Sequence, residues 1–146
     1  MPPERLPNVL FGDVLALARE RWVRELSRRL AARGFSHYAR SDALVLRLLR
    51  GRTMTLGALA TTMGVSRQTA RKVITSLVER GYATVDISDT DARRRMVSLT
   101  GVGRTYTTTI IDEMTKLNEE LSEKCDPADL VAAMSVLTFV KDNLGQ

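Results

Sequence analysis

Residues 55–81, TLGALATTMGVSRQTARKVITSLVERG, decide the fold. Two short helical stretches flank Met63-Gly64-Val65. That is the pattern of a helix-turn-helix, in which two helices cross through a tight turn and the second is free to enter a major groove. Thr55 and Ser66 stand at the two N-cap positions, where a hydroxyl accepts a backbone N–H that the helix leaves unpaired. Gly64 tolerates the positive φ such a turn requires, and Val65 is expected to plug the interior beneath it. On the second helix Ala70, Val73, Ile74 and Leu77 recur at i, i+3, i+4 and i+7, which defines a buried stripe. At about 100° per residue, Gln68, Lys72 and Thr75 fall opposite that stripe. Thr69 and Arg71 flank them, and Arg67 lies nearer the edge. Arginine suits guanine edges and glutamine suits adenine, while Ser66 and Lys72 fit phosphates.

Upstream, Val9 to Arg33 contains no proline and alternates apolar and charged faces at helical spacing, with Val14, Leu17, Trp22, Leu26 and Leu30 among the apolar positions. Gly34 is a natural stop, and Ser41-Asp42 opens a second helix that closes before Gly51. Downstream, Tyr82–Ile87 and Met96–Thr100 alternate with the period of a strand. Between them SDTDARRR, residues 88–95, reads as a hairpin turn with a basic tip. A third strand at Thr53-Met54-Thr55 is barely visible. From Gly103 a helical pattern returns, with Ile110, Met114, Leu117 and Leu121 on one stripe. Asp126 then caps a last helix, with Pro127 at its first position, where the missing N–H costs nothing. The order predicts a mainly α fold with a small β-hairpin wing, a winged helix-turn-helix with flanking helices.

The length, 146 residues, fits one compact unit. No apolar run reaches the ~20 residues needed to span a bilayer, so no membrane partner is expected. The start, MPPERLPNVLFGDV, lacks a basic stretch followed by an apolar core, which points to the cytoplasm. One cysteine, Cys125, cannot form an internal disulfide. One histidine, His37, leaves no Cys/His zinc cluster, so neither metal nor cofactor is expected. With no glycine-rich phosphate loop and no paired acids in a plausible cleft, an enzyme is not expected either. The net charge of +5 is unevenly spread. Residues 1–104 hold 19 basic and 9 acidic side chains, a balance of +10; residues 105–146 hold 3 and 8, a balance of −5. A basic body facing a polyanion, joined to an acidic segment with another task, follows from that asymmetry.

The string SRQTARKVITSLVERGYATVDISDTDARRRMVSLTGVGR, residues 66–104, resembles the DNA-binding core of the MarR family of bacterial transcription regulators. The matching motifs are Leu77, Arg80 and Gly81 at the end of the recognition helix, Asp91-Ala92-Arg93 in the wing, and Leu99-Thr100 before Gly101. The resemblance implies that Arg93 reaches a minor groove, that Asp91 holds it there, and that Arg94 and Arg95 add phosphate contacts. It also implies dimerisation helices in residues 1–38 and 103–146, a DNA-binding domain in 39–102, and an effector pocket near Trp22, His37 and Tyr38. Some relatives sense peroxides with a cysteine near the start of the chain, a place Cys125 does not share. The expected partners are double-stranded DNA, a second copy of the chain and a small-molecule effector. The expected function is a homodimeric regulator, a repressor, on a pseudo-palindromic operator; the alternative is a winged-helix module that binds another protein and not DNA.

Overall fold

The computed structural model describes residues 10–87 and 94–145. Among them the order is α1 (Phe11–Ala32), α2 (Asp42–Leu49), β1 (Met54–Thr55), α3 (Leu56–Met63), α4 (Arg67–Glu79), β2 (Ala83–Ile87), β3 (Arg95–Leu99), α5 (Gly101–Lys124) and α6 (Pro127–Asn143). The mainly helical fold with a small antiparallel sheet is the one the sequence predicts. No helix among the described residues is long and apolar enough to cross a membrane.

Local chemistry places the two central helices. Thr55 Oγ1 accepts the Ala58 N–H at 3.0 Å at the start of α3, and Ser66 Oγ accepts the Thr69 N–H at 3.1 Å at the start of α4. Gly64 ends α3 at φ 69°, a left-handed conformation that glycine adopts without Cβ strain. Val65 departs from expectation, remaining 36% exposed. Its backbone closes the turn instead, donating to the Ala60 carbonyl at 3.0 Å, while Leu59, Ala60 and Ala70 supply the buried surface. Ser41 also differs, being helical in φ and ψ and making no side-chain cap. The Asp42 carboxylate instead reaches back ahead of the helix and accepts the Ala39 N–H at 3.0 Å.

The sheet has the order β1-β3-β2, antiparallel throughout. Val97 of β3 lies opposite both Met54 and Val85 and is buried. β1 extends for two residues only, which is why alternation in the sequence barely reveals it. After β3, Thr100 Oγ1 donates to the Gly81 carbonyl at 2.7 Å and accepts the Gly103 N–H at 3.0 Å. This stitch brings the first turn of α5 against the backbone of Tyr82, and a Cβ at Gly103 would overlap the Tyr82 carbonyl.

The chain packs as two compact units, the first running to Ile111 and the second from Asp112. Leu26, Leu30, Leu46, Leu59, Leu77 and Tyr106 are fully buried in the first. At ~1.5–3 kcal/mol for each large apolar side chain removed from water, this core is the main stabilising term. In the second unit Leu117 is buried and Met114 half-buried, while Leu121 is exposed. α6 begins as expected, Asp126 Oδ1 accepting the Ala128 N–H at 2.8 Å with Pro127 in the first turn. Its apolar side chains stay largely uncovered: Val131, Met134 and Phe139 are more than half exposed.

Candidate nucleic-acid interface

α4 divides as its periodicity requires. Ala70, Ile74 and Leu77 are buried and Val73 is half-buried, whereas Arg67, Gln68, Thr69, Arg71, Lys72 and Thr75 are all exposed. No acidic residue stands in the first turn of α4, so the partial positive charge of its unpaired N–H groups is not neutralised by its own sequence. Gln68, Arg71, Lys72 and Thr75 line one shallow groove on the outer face of the helix. Ser66 is exposed too, but its hydroxyl is engaged: besides capping, it bonds Thr69 Oγ1 at 3.0 Å.

The tertiary fold then adds the wing to the helix. Arg67, Arg71, Arg94 and Arg95 converge with Thr55 and Gly57 on a cleft of about 280 Å³. Among the described residues its lining carries four guanidinium groups and no carboxylate. Gly57 makes room here, because the Arg67 guanidinium lies 3.2 Å from the place a Cβ would take. Such an array is electrostatically unfinished and favours a polyanion, with arginine forks suited to phosphate oxygens. Asp91 and Arg93 lie outside the described residues.

The other predicted group is less concentrated. Trp22 is half-buried on α1, His37 is exposed between α1 and α2, and Tyr38 is half-buried beside it. Burial, and then the nearby Asp42 carboxylate, push the Tyr38 phenol up to about 12. His37 has φ 73°, a strained value for a residue with a Cβ.

Sequence reasoning missed the buried polar centre of the first unit. Asp42, fully buried, receives Arg80 in a two-pronged pair, Nη1 to Oδ2 and Nη2 to Oδ1, each at 2.7 Å. The Tyr106 hydroxyl donates to Asp42 Oδ2 at 2.8 Å. Burial first, and then the Asp42 charge, raise the Tyr106 phenol well above the usual tyrosine range. The bond to Asp42 likewise raises Arg80, outweighing its desolvation. Phe35, Tyr82 and Tyr106 pack around the pair, with ring centroids of Phe35 and Tyr106 5.0 Å apart. Arg80 was visible as a motif residue, but nothing local points to a partner 38 positions away.

Residues 39–94 match the sequence profile of the MarR family. No curated protein sequence matches. Among solved structures, a MarR family transcriptional regulator from Silicibacter pomeroyi is 26% identical, with 99% of this chain and 98% of that chain covered and a TM-score of 0.67. BpsR of Bordetella bronchiseptica, whose DNA binding is regulated by 6-hydroxynicotinic acid, is 22% identical, with 94% and 97% covered and a TM-score of 0.75. MepR of S. aureus, solved with DNA, is 13% identical, with 94% and 99% covered and a TM-score of 0.77.

Proposed function

We propose that this chain, whose residues 39–94 match the MarR family profile, is a member of that family and a homodimeric repressor of transcription, acting in the cytoplasm on a pseudo-palindromic operator. The observation that carries the DNA-binding part is the cleft, lined by no carboxylate among the described residues, in which Arg67 and Arg71 of α4 meet Arg94 and Arg95 of the wing. In this reading Gln68 and Arg71 read base edges in the major groove, and Lys72, Thr75 and the edge residues Arg67 and Thr69 fix the helix on the backbone. Arg94 and Arg95 hold phosphates, and Arg93, steadied by Asp91, enters the minor groove. Ser66 contributes through its cap, which keeps the first turn of α4 and its N–H groups presented to the DNA.

Residues 1–38 and 103–146 form the dimer interface, since the apolar side chains of α6 need a cover that a second copy supplies. Two recognition helices then stand about one DNA turn apart, which makes the operator symmetric. A small-molecule effector bound near Trp22, His37 and Tyr38 releases the repressor, as the regulation of BpsR by 6-hydroxynicotinic acid encourages one to expect.

A salt series of gel shifts on the protein's own upstream DNA tests this. With ~8–10 phosphates neutralised per dimer, log affinity falls against log salt with a slope of roughly −7 to −9. A flat response removes the DNA-binding reading and favours a winged-helix module that binds another protein.

A further inference from the structure

Arg80 stands at the C-terminal end of the recognition helix, far along α4 from the residues assigned to base reading. Its guanidinium is committed in three directions. Nη1 and Nη2 grip the two oxygens of Asp42, on α2. Nη1 also donates to the His37 carbonyl at 3.1 Å, in the loop between α1 and α2. Nε turns back to the Ser76 carbonyl and hydroxyl within α4 itself, at 3.3 and 3.2 Å. The Tyr82 ring lies against the guanidinium, 5.5 Å from its centroid, and limits where the fork can move.

The loop end of this arrangement is the strained one. His37 is the non-glycine residue with positive φ among those described, and the carbonyl held by Arg80 is its own. Backbone strain of this kind persists only where the surroundings hold it in place. The Asp42 end is the opposite case: buried, with Ala39, Tyr106 and Arg80 all donating to it, it has no freedom to follow. A fork anchored on a fixed carboxylate and a strained loop carbonyl makes the end of α4 sensitive to the loop.

We propose that Arg80 is a positioning residue that transmits the backbone conformation of the α1–α2 loop to the recognition helix. When His37 leaves its positive φ, its carbonyl withdraws from Nη1 and the end of α4 loses one of its external restraints. The reading surface then shifts without any contact between the loop and DNA. This gives the proposed effector site near His37 a physical route to the operator-binding face, and it rests on the DNA-binding reading only where DNA is measured.

Removing the charge of Arg80 would leave Asp42 buried and unpaired, and the whole domain would suffer. Arg80→Lys keeps the charge but replaces the fork by a compact ammonium that cannot bridge both acceptors in the same way. At the loop, His37→Pro forbids the positive φ, whereas His37→Gly adopts it freely and retains the carbonyl. Amide hydrogen exchange of residues 77–80 is followed in the full chain for these variants and for the His37→Pro, Arg80→Lys double variant. His37→Gly should match wild type, and His37→Pro should exchange about tenfold faster. The double variant should exchange no faster than Arg80→Lys alone. Unchanged exchange in His37→Pro, or multiplied effects in the double variant, overturn the proposal. Should His37→Pro fail to fold, His37→Val, whose branched side chain also disfavours positive φ, takes its place under the same criteria.

The second measurement compares the protein's own upstream duplex with a random duplex of equal length. Arg80→Lys should weaken the specific site about tenfold and the random one less than about threefold, since phosphate attraction survives a tilt that base reading does not. Equal losses on both, following a fall in thermal stability, would make Arg80 an ordinary structural residue. If wild type bound neither duplex, the DNA-binding reading would fail while the exchange result still decided the coupling.

Discussion

The helices α4 and α6 both leave one face uncovered, and they uncover opposite things. α4 buries Ala70, Ile74 and Leu77 and turns Arg67, Gln68, Arg71 and Lys72 outward. α6 has no fully buried residue and turns out Val131 at 71%, Met134 at 63% and Phe139 at 61% exposure. Water solvates the first surface at no cost, so α4 is complete as a folded element and open to a polyanion. The second surface is unfavourable in water, and its chemistry asks for another apolar surface. In the proposed function one exposed helix is a reader and the other an interface, and exposure alone does not tell them apart.

The largest effect that can break this comparison is on assembly. Met134→Glu with Phe139→Glu should convert the proposed dimer to monomer in sedimentation equilibrium, and so should truncation before Asp126. Arg71→Ala should leave assembly untouched. A dimer that survives either change to α6 would move the interface elsewhere.

Next comes the junction of wing and α5. A Cβ at Gly103 would overlap the backbone carbonyl of Tyr82, which cannot step aside as a side-chain tip could. Gly103→Ala should cost about 3 kcal/mol in urea unfolding, near the upper end of overpacking effects. A loss below about 1 kcal/mol would mean that α5 starts elsewhere in solution.

Much of α4 and α6 was legible because their determinants are local. The caps at Thr55, Ser66 and Asp126, and the apolar stripe of α4, each follow from spacings within a few residues, and the structure has them. Most of the failures are at long range. Asp42 bonds Arg80 across 38 positions and Tyr106 across 64, and no periodicity encodes such a meeting. β1 is a strand only because β3 pairs with it. Val65 looked like a plug by residue type, yet its backbone bond to Ala60 settles the turn while the side chain stays exposed. The candidate site follows the same rule: the polar face of α4 was readable, whereas its convergence with Arg94 and Arg95 on one cleft needed the fold.

Within the reading surface the helix and the wing should fail differently. Gln68→Ala and Arg71→Ala should each cost ~1–3 kcal/mol on the specific site and little on random DNA, as loss of a base contact does. Arg93→Ala should weaken both DNAs and make the salt slope shallower by about one unit, because its attraction is to minor-groove potential and phosphates. Asp91→Ala should give a milder form of the same defect. The reverse pattern would make the helix the anchor and the wing the reader.

The smallest effects compare the two helices at their caps. Ser66 and Asp126 each accept one early N–H, from Thr69 and Ala128, so replacing either by alanine should cost about 1 kcal/mol of stability. Stability alone cannot separate a cap on a reading helix from a cap on an interface helix, but a swap of cap chemistry can. Aspartate caps about as well as serine and adds a negative charge at the helix N-terminus, which the helix itself welcomes. Ser66→Asp should therefore keep the melting temperature of the wild type while weakening DNA binding about tenfold, the loss growing as salt is lowered, since the new carboxylate faces the phosphates. Asp126→Ser should likewise keep stability and leave DNA binding unchanged. If Ser66→Asp bound DNA as well as wild type, the N-terminal end of α4 would not face the phosphate backbone, and the contrast between reader and interface would lose its electrostatic half.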